Sequence, residues 1–215
     1  MTIAWVVFAA GLAVGVLAGP WVTSALVKVV DSPSYTGLDA ARTTELAQDA
    51  RSFVADPRPA DLPAAVDGRP GFDAATVSHL LDVRRVLAAA RIATGALAFV
   101  LAAWVVLGLT RQRRWALHDG LLAAGIAAIA APVVLAALAV IDFGAFFARF
   151  HGLFFTAGTW VFSDDALIIQ LFPEPFWMWL GAGLGVLIAA FGGVLLVAVA
   201  KLQLLAEDSH DAANV

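Results

Sequence analysis

Two histidines carry the chemistry this chain could do. His79 is followed by Asp82, Arg84 and Arg85. His151 follows Arg149 and precedes Phe154, Phe155, Thr156, Trp160, Asp164 and Asp165. Imidazole titrates near neutrality, so either ring is suited to take up and return a proton at physiological pH. On a helix, His79 and Asp82 share a face. In an acid/base site Asp82 orients an imidazole, and the Trp160 indole N–H or an arginine stabilises an oxyanion. Two other readings stand beside this one. Both histidines can be boundary residues between lipid and water, or they can join a carboxylate to bind a metal such as zinc.

The composition narrows the field. The chain has 215 residues, of which 61% are hydrophobic and 14% charged. Soluble domains are usually less apolar and more charged, so this is an all-α polytopic membrane protein. A net charge of −4 offers nothing to nucleic acid. The absence of cysteine removes disulfides, thiolate metal sites and cysteine nucleophiles. Neither G-x-S-x-G, H-E-x-x-H nor a P-loop occurs, and no cofactor motif is present.

Four apolar runs are long enough to span a bilayer: about 3–27, 86–109, 121–141 and 178–200. In the first, Gly11, Gly15 and Gly19 form a small-residue stripe for helix contact, and Pro20 predicts a kink near the outer end. Pro132 predicts a second kink mid-span. The basic loop Arg111-Gln112-Arg113-Arg114 reads as cytoplasmic by the positive-inside rule. Both termini then lie inside, and two segments lie outside: the hydrophilic insert 28–85 and the aromatic segment 142–177. His118 reads as a solvated loop residue and His210 as incidental to the acidic tail.

Within the insert, Leu38–Val54 contains a weakly amphipathic helix, with Ala41, Leu46, Ala50, Phe53 and Val54 toward one side. The stretch from Asp56 to Gly71 is a Pro/Gly-rich loop. Asp73 is the expected N-cap of the next helix, with Phe72 stapled onto Val77. No Pro or Gly intervenes until Gly95, so one continuous helix is expected to leave the insert and become the second span. That puts His79 about seven residues before the span, on the order of 10 Å away. Arg91 falls inside the apolar run, where it either snorkels outward or faces the bundle to bind something anionic. In the aromatic segment, Phe143, Phe146, Phe147 and Phe150 read as an interfacial helix, and Trp160, Trp177 and Trp179 as an aromatic belt. Pro173-Glu174-Pro175 marks the break before the last span.

The two histidine segments resemble a known family. F-x₆-H-L-x-D-V-R runs from Phe72 to Arg84, and H-x₂-F-F-x₄-W-x-F from His151 to Phe162. Asp165-x-Leu167 and L-F-P-E-P-F-W, ending at Trp177, follow. Together these resemble the lipoprotein intramolecular transacylases (Lit), bacterial integral membrane proteins. The resemblance implies a substrate whose N-terminal cysteine carries a thioether-linked diacylglyceryl group. The sn-2 acyl chain moves to the α-amino group of the same cysteine, giving a lyso-form lipoprotein without a second lipid donor. It implies His79 and His151 as catalytic, one of them deprotonating the amine and returning the proton to the glycerol oxygen. Asp82, Arg84, Arg91, Trp160 and Asp165 are the expected substrate-binding or orienting residues. No cofactor or metal is implied. The partners are diacylated lipoproteins and membrane lipid, and the place is the bacterial cytoplasmic membrane with the site facing outward. Two readings from other classes remain: a non-enzymatic lipid- or lipoprotein-binding membrane protein, and a metal-dependent membrane hydrolase.

Overall fold

Long apolar runs with few interruptions fold as helices, because in lipid the backbone must satisfy its own hydrogen bonds. The computed structural model describes residues 1–111 and 113–213, with side chains through Leu204. Gln112 of the basic loop and the His210 side chain therefore lie outside the described residues. In chain order the helices are α1 (Thr2–Leu17), α2 (Pro20–Val29), α3 (Ser32–Thr36), α4 (Ala40–Ala55), α5 (Ala74–Thr110), α6 (Arg114–Ile141), α7 (Phe143–Gly152), α8 (Leu167–Leu171) and α9 (Glu174–Ala213). Three of the described helices are long and apolar enough to cross a membrane: α5, α6 and the Glu174–Leu204 part of α9.

The first apolar run breaks at Pro20, the position of the expected kink, and the break is sharp. α1 and α2 meet at a 73° bend, so together they make a broken span or a re-entrant loop. The cause is local. Pro20 opens α2, where a missing N–H costs nothing, and it holds Gly19 extended at φ −69°, ψ 146°. Arg51 and Gln48 of α4 secure this corner. Gln48 donates to the Pro20 carbonyl at 2.7 Å and to Ser24 Oγ at 2.8 Å. Arg51 grips Asp56 through two bonds of 2.9 and 2.7 Å, and these hold the Asp56 carboxyl below its ordinary pKa.

The chain forms two compact units. The first contains Met1–Ala13, Ile92–Ala137 and the chain from Leu184 onward. Its interior is small-residue packing. Ala9, Ala13, Ala128 and Ile188 form one cluster, and Leu121, Ala124, Leu195 and Val199 another. Gly125 and Gly192 bring α6 and α9 to backbone contact: a Cβ on Gly192 would lie 2.8 Å from the Gly125 carbonyl oxygen. Gly11 abuts the Thr94 side chain in the same way. α6 begins earlier than the expected 121, so His118 is helical rather than a loop residue. Its Nδ1 bonds Asp119 Oδ1 at 2.9 Å, and the Gln203 amide of α9 reaches its Nε2 at 2.8 Å.

The second unit contains Val14–Arg91 and Leu138–Gly183. Its core gathers Val27, Leu46, Ala50, Phe72, Leu80, Leu171 and Phe176. α4 is capped by Asp39, which accepts from the Arg42 N–H at 2.9 Å. α4 buries the expected face at Leu46 and Ala50 and half-buries it at Phe53 and Val54, but Ala41 is exposed, and Thr43 and Ala47 are buried as well. Thr43 is tolerated there because its hydroxyl bonds that of Thr36 at 2.9 Å. The expected loop before α5 contains a small hairpin pairing β1 (Ala65–Val66) with β2 (Arg69–Pro70). Asp67 and Gly68 turn it at φ 48° and 76°, the geometry a two-residue Asp-Gly connection favours. Asp73 then caps α5 by accepting from the Thr76 N–H at 2.7 Å, and Phe72 is buried beside Val77. α5 runs unbroken for 37 residues. At about 1.5 Å per residue that exceeds a hydrocarbon core of roughly 30 Å by some 25 Å.

Candidate active site

His79 lies in the second turn of α5 and His151 in the last turn of α7. α7 starts where Asp142 accepts from the Ala145 N–H at 2.8 Å. Beyond His151 the chain folds back over it. The His151 carbonyl accepts from the N–H groups of Phe154 and Phe155, and Gly158 at φ 86° reverses the chain. Phe155 and Trp160 are thereby returned to the histidine they follow.

The two imidazoles stack with ring centroids 6.2 Å apart at an interplanar angle of 28°. Each is 8% exposed, so both are inside the unit rather than on its surface. Rings enclose them. Phe155 lies 4.9 Å and Phe162 5.7 Å from His79, while Phe147 lies 3.9 Å and Trp160 4.8 Å from His151. Isolated boundary residues have no reason to meet in this way.

One bond sets the chemistry of His151. Its Nδ1 sits 3.0 Å from the Phe147 carbonyl oxygen, which can only accept. The proton is therefore on Nδ1, and Nε2 presents a lone pair. Burial lowers the His151 pKa below its ordinary 6.5, and the bond to Phe147 opposes that shift without reversing it. The ring is neutral at pH 7 and ready to accept a proton. His79 has no such anchor: among the described residues its Nδ1 is buried without a hydrogen-bond partner, as is Trp160 Nε1. A buried polar atom left unpaired costs about 1–3 kcal/mol, which a bound ligand can relieve.

The other expected site residues are distributed differently. Asp82 pairs with Arg85 at 2.6 Å, and among the described residues no hydrogen bond joins it to His79. Arg84 donates to the Phe53 carbonyl at the end of α4, tying two helices of the unit together. Arg91 is exposed along α5, and Asp164 and Asp165 are exposed. Arg149 lines a separate recess of about 320 Å³ with Leu138, Ile141, Asp142, Ala145 and Phe146, which includes neither histidine. Trp177 donates its indole N–H to the Phe172 carbonyl at 2.9 Å. Among the described residues no three His, Asp or Glu side chains converge as metal ligands. Phe147 was not among the expected site residues. Its signal was in the sequence, since it stands four residues before His151 on one helix and so shares its face.

The fold and the site define a class: a multi-pass helical membrane protein with a buried histidine pair in an aromatic cage. Residues 1–177 match the family model described as lipoprotein intramolecular transacylase Lit, and the chain belongs to that family. Its fold is similar to that of the membrane integral lipoprotein intramolecular transacylase Lit from Bacillus cereus. The TM-score is 0.79 at 18% identity, over 96% of this chain and 93% of that one. A variant of that protein with a histidine changed to arginine matches at TM-score 0.75 and 18% identity, over 97% of this chain and 90% of that one. No curated protein matches the chain.

Proposed function

We propose that this protein is an intramolecular acyltransferase acting on diacylglyceryl-modified lipoproteins. It moves the sn-2 acyl chain to the α-amino group of the N-terminal cysteine and leaves a lyso-form lipoprotein. The observation that carries this reading is the stacked, buried pair His79–His151, with His151 held as an Nε2 base by Phe147, in a chain of the Lit family.

In the proposed reaction, His151 Nε2 takes a proton as the neutral amine nitrogen adds to the sn-2 ester carbonyl carbon. A C–N bond forms and the carbonyl π pair moves onto oxygen. When that pair returns, the bond from carbonyl carbon to glycerol oxygen breaks. The His151 imidazolium gives its proton to the departing oxygen. Ester becomes amide, the amine proton ends on the glycerol hydroxyl, and no water or second lipid is consumed. His79, stacked opposite, contacts the reacting groups through its unpartnered Nδ1. The packed rings hold the amine and the ester, which belong to one molecule, close enough to meet. In this reading the insert 28–85 and the segment 142–177 lie outside the cytoplasmic membrane, where lipoproteins are displayed.

The test is incubation of purified protein with a synthetic diacylglyceryl-cysteine lipopeptide, followed by fragmentation mass spectrometry. Wild type should give an isomer of unchanged mass with one acyl chain on the amine. His151→Ala and His79→Ala should each lose about 100-fold or more of the rate while remaining folded. Full activity in either variant removes that histidine from the mechanism. An intact peptide with wild type favours a non-enzymatic lipoprotein-binding protein, and free fatty acid favours a hydrolase.

A further inference from the structure

The reading above supplies a base but leaves a charge unattended: the oxygen that takes the carbonyl pair. The arginines near the site are committed elsewhere or stand outside it. Arg84 serves the Phe53 carbonyl, Arg85 serves Asp82, Arg51 serves Asp56, and Arg149 lines the separate recess. Beside the His151 ring, the Trp160 side chain carries an N–H that can only donate. Among the described residues Trp160 Nε1 is buried with no hydrogen-bond partner, and an indole nitrogen has no acceptor function. Its ring is packed 4.8 Å from the His151 ring and 6.4 Å from that of Phe147, so neighbouring rings hold the donor in place.

We propose that Trp160 is a catalytic residue whose indole N–H binds the oxyanion of the acyl-transfer step. The inference rests on the reaction proposed above. As the amine nitrogen bonds to the carbonyl carbon, the π pair moves to the carbonyl oxygen, which gains a hydrogen bond from Nε1–H. No proton crosses that bond. The pair returns to carbon as the glycerol C–O bond breaks, and the indole is left as it began. A fixed donor in a water-poor cage is most effective where charge develops during reaction rather than in the ground state.

The experiment compares wild type with Trp160→Phe on the diacylglyceryl lipopeptide in detergent micelles. kcat should fall about 100- to 1,000-fold with KM little changed, as for loss of one oxyanion donor. The pH profile should keep its shape, because the base is untouched. A second measurement separates hydrogen bonding from packing: ring-fluorinated tryptophans placed at position 160 keep the shape while making the N–H more acidic. kcat should then follow N–H acidity. A Trp160→Phe enzyme within about threefold of wild-type kcat overturns the inference, as does a flat fluorotryptophan series. If wild type produces the N-acylated peptide and these results fail, this inference alone falls. If wild type produces none, the proposed function falls and the inference with it.

Discussion

At the scale of single residues, the site depends on a carbonyl as much as on its side chains. The Phe147 carbonyl fixes the His151 tautomer, and burial keeps that ring neutral. A base is competent only when deprotonated, so activity should be lost as pH falls through the His151 pKa, which lies below 6.5. The substrate amine must also be neutral, with an ordinary pKa of about 7.7–8.0. Log kcat/KM should thus fall with a slope near one below the amine pKa, and near two below that of His151. A profile that keeps the single slope through the pH at which the His151 ring itself is seen to protonate removes His151 as the base. Asp82 and Arg84 show the limit of residue-type reasoning. Each has a type suited to catalysis, and in the fold Asp82 pairs with Arg85 while Arg84 donates to the Phe53 carbonyl.

At the scale of elements, the site is set by where α5, α7 and the returning chain after α7 meet within one unit. Arg84 joins α5 to the end of α4, so Arg84→Ala should lower thermal stability by about 1–2 kcal/mol while the folded fraction keeps its KM. A raised KM at unchanged stability would return Arg84 to substrate binding. In the first unit, α6 and α9 touch through Gly125 and Gly192, with the Ala128 Cβ 3.0 Å from the position a Gly192 side chain would take. Gly192→Val should force the helices apart and cost about 1–3 kcal/mol, read as a lower unfolding temperature in detergent. An unchanged melt would mean that this crossing adjusts freely. The bend between α1 and α2 follows from Pro20. Composition alone suggested a single span, because hydropathy counts apolar residues and says nothing of the angle between two short helices.

At the scale of the whole molecule, the proposed reaction requires both outer segments to face the side where lipoproteins are displayed. The chain contains no cysteine, so single reporters can be placed without background. Asp67→Cys, in the hairpin turn, should react with a membrane-impermeant maleimide in intact cells. Arg113→Cys, in the basic loop, should react only after the membrane is opened. The opposite pattern would reverse the orientation and detach the site from the proposed substrate.

The apolar runs, the helix that carries His79 out of its span, the Asp73 cap and the two histidine segments are all legible in the order of the amino acids, because each depends on neighbours within a few residues. Hydropathy, capping and helical periodicity are local properties. The pairing of His79 with His151 is not, because two whole apolar runs separate them and no spacing rule connects them. Only the packed unit reveals that their rings stack, that Phe147 anchors one of them, and that Asp82 turns to Arg85. Those outcomes follow from which side chains compete for the same space and the same donors, and that competition exists only once distant segments have been brought together.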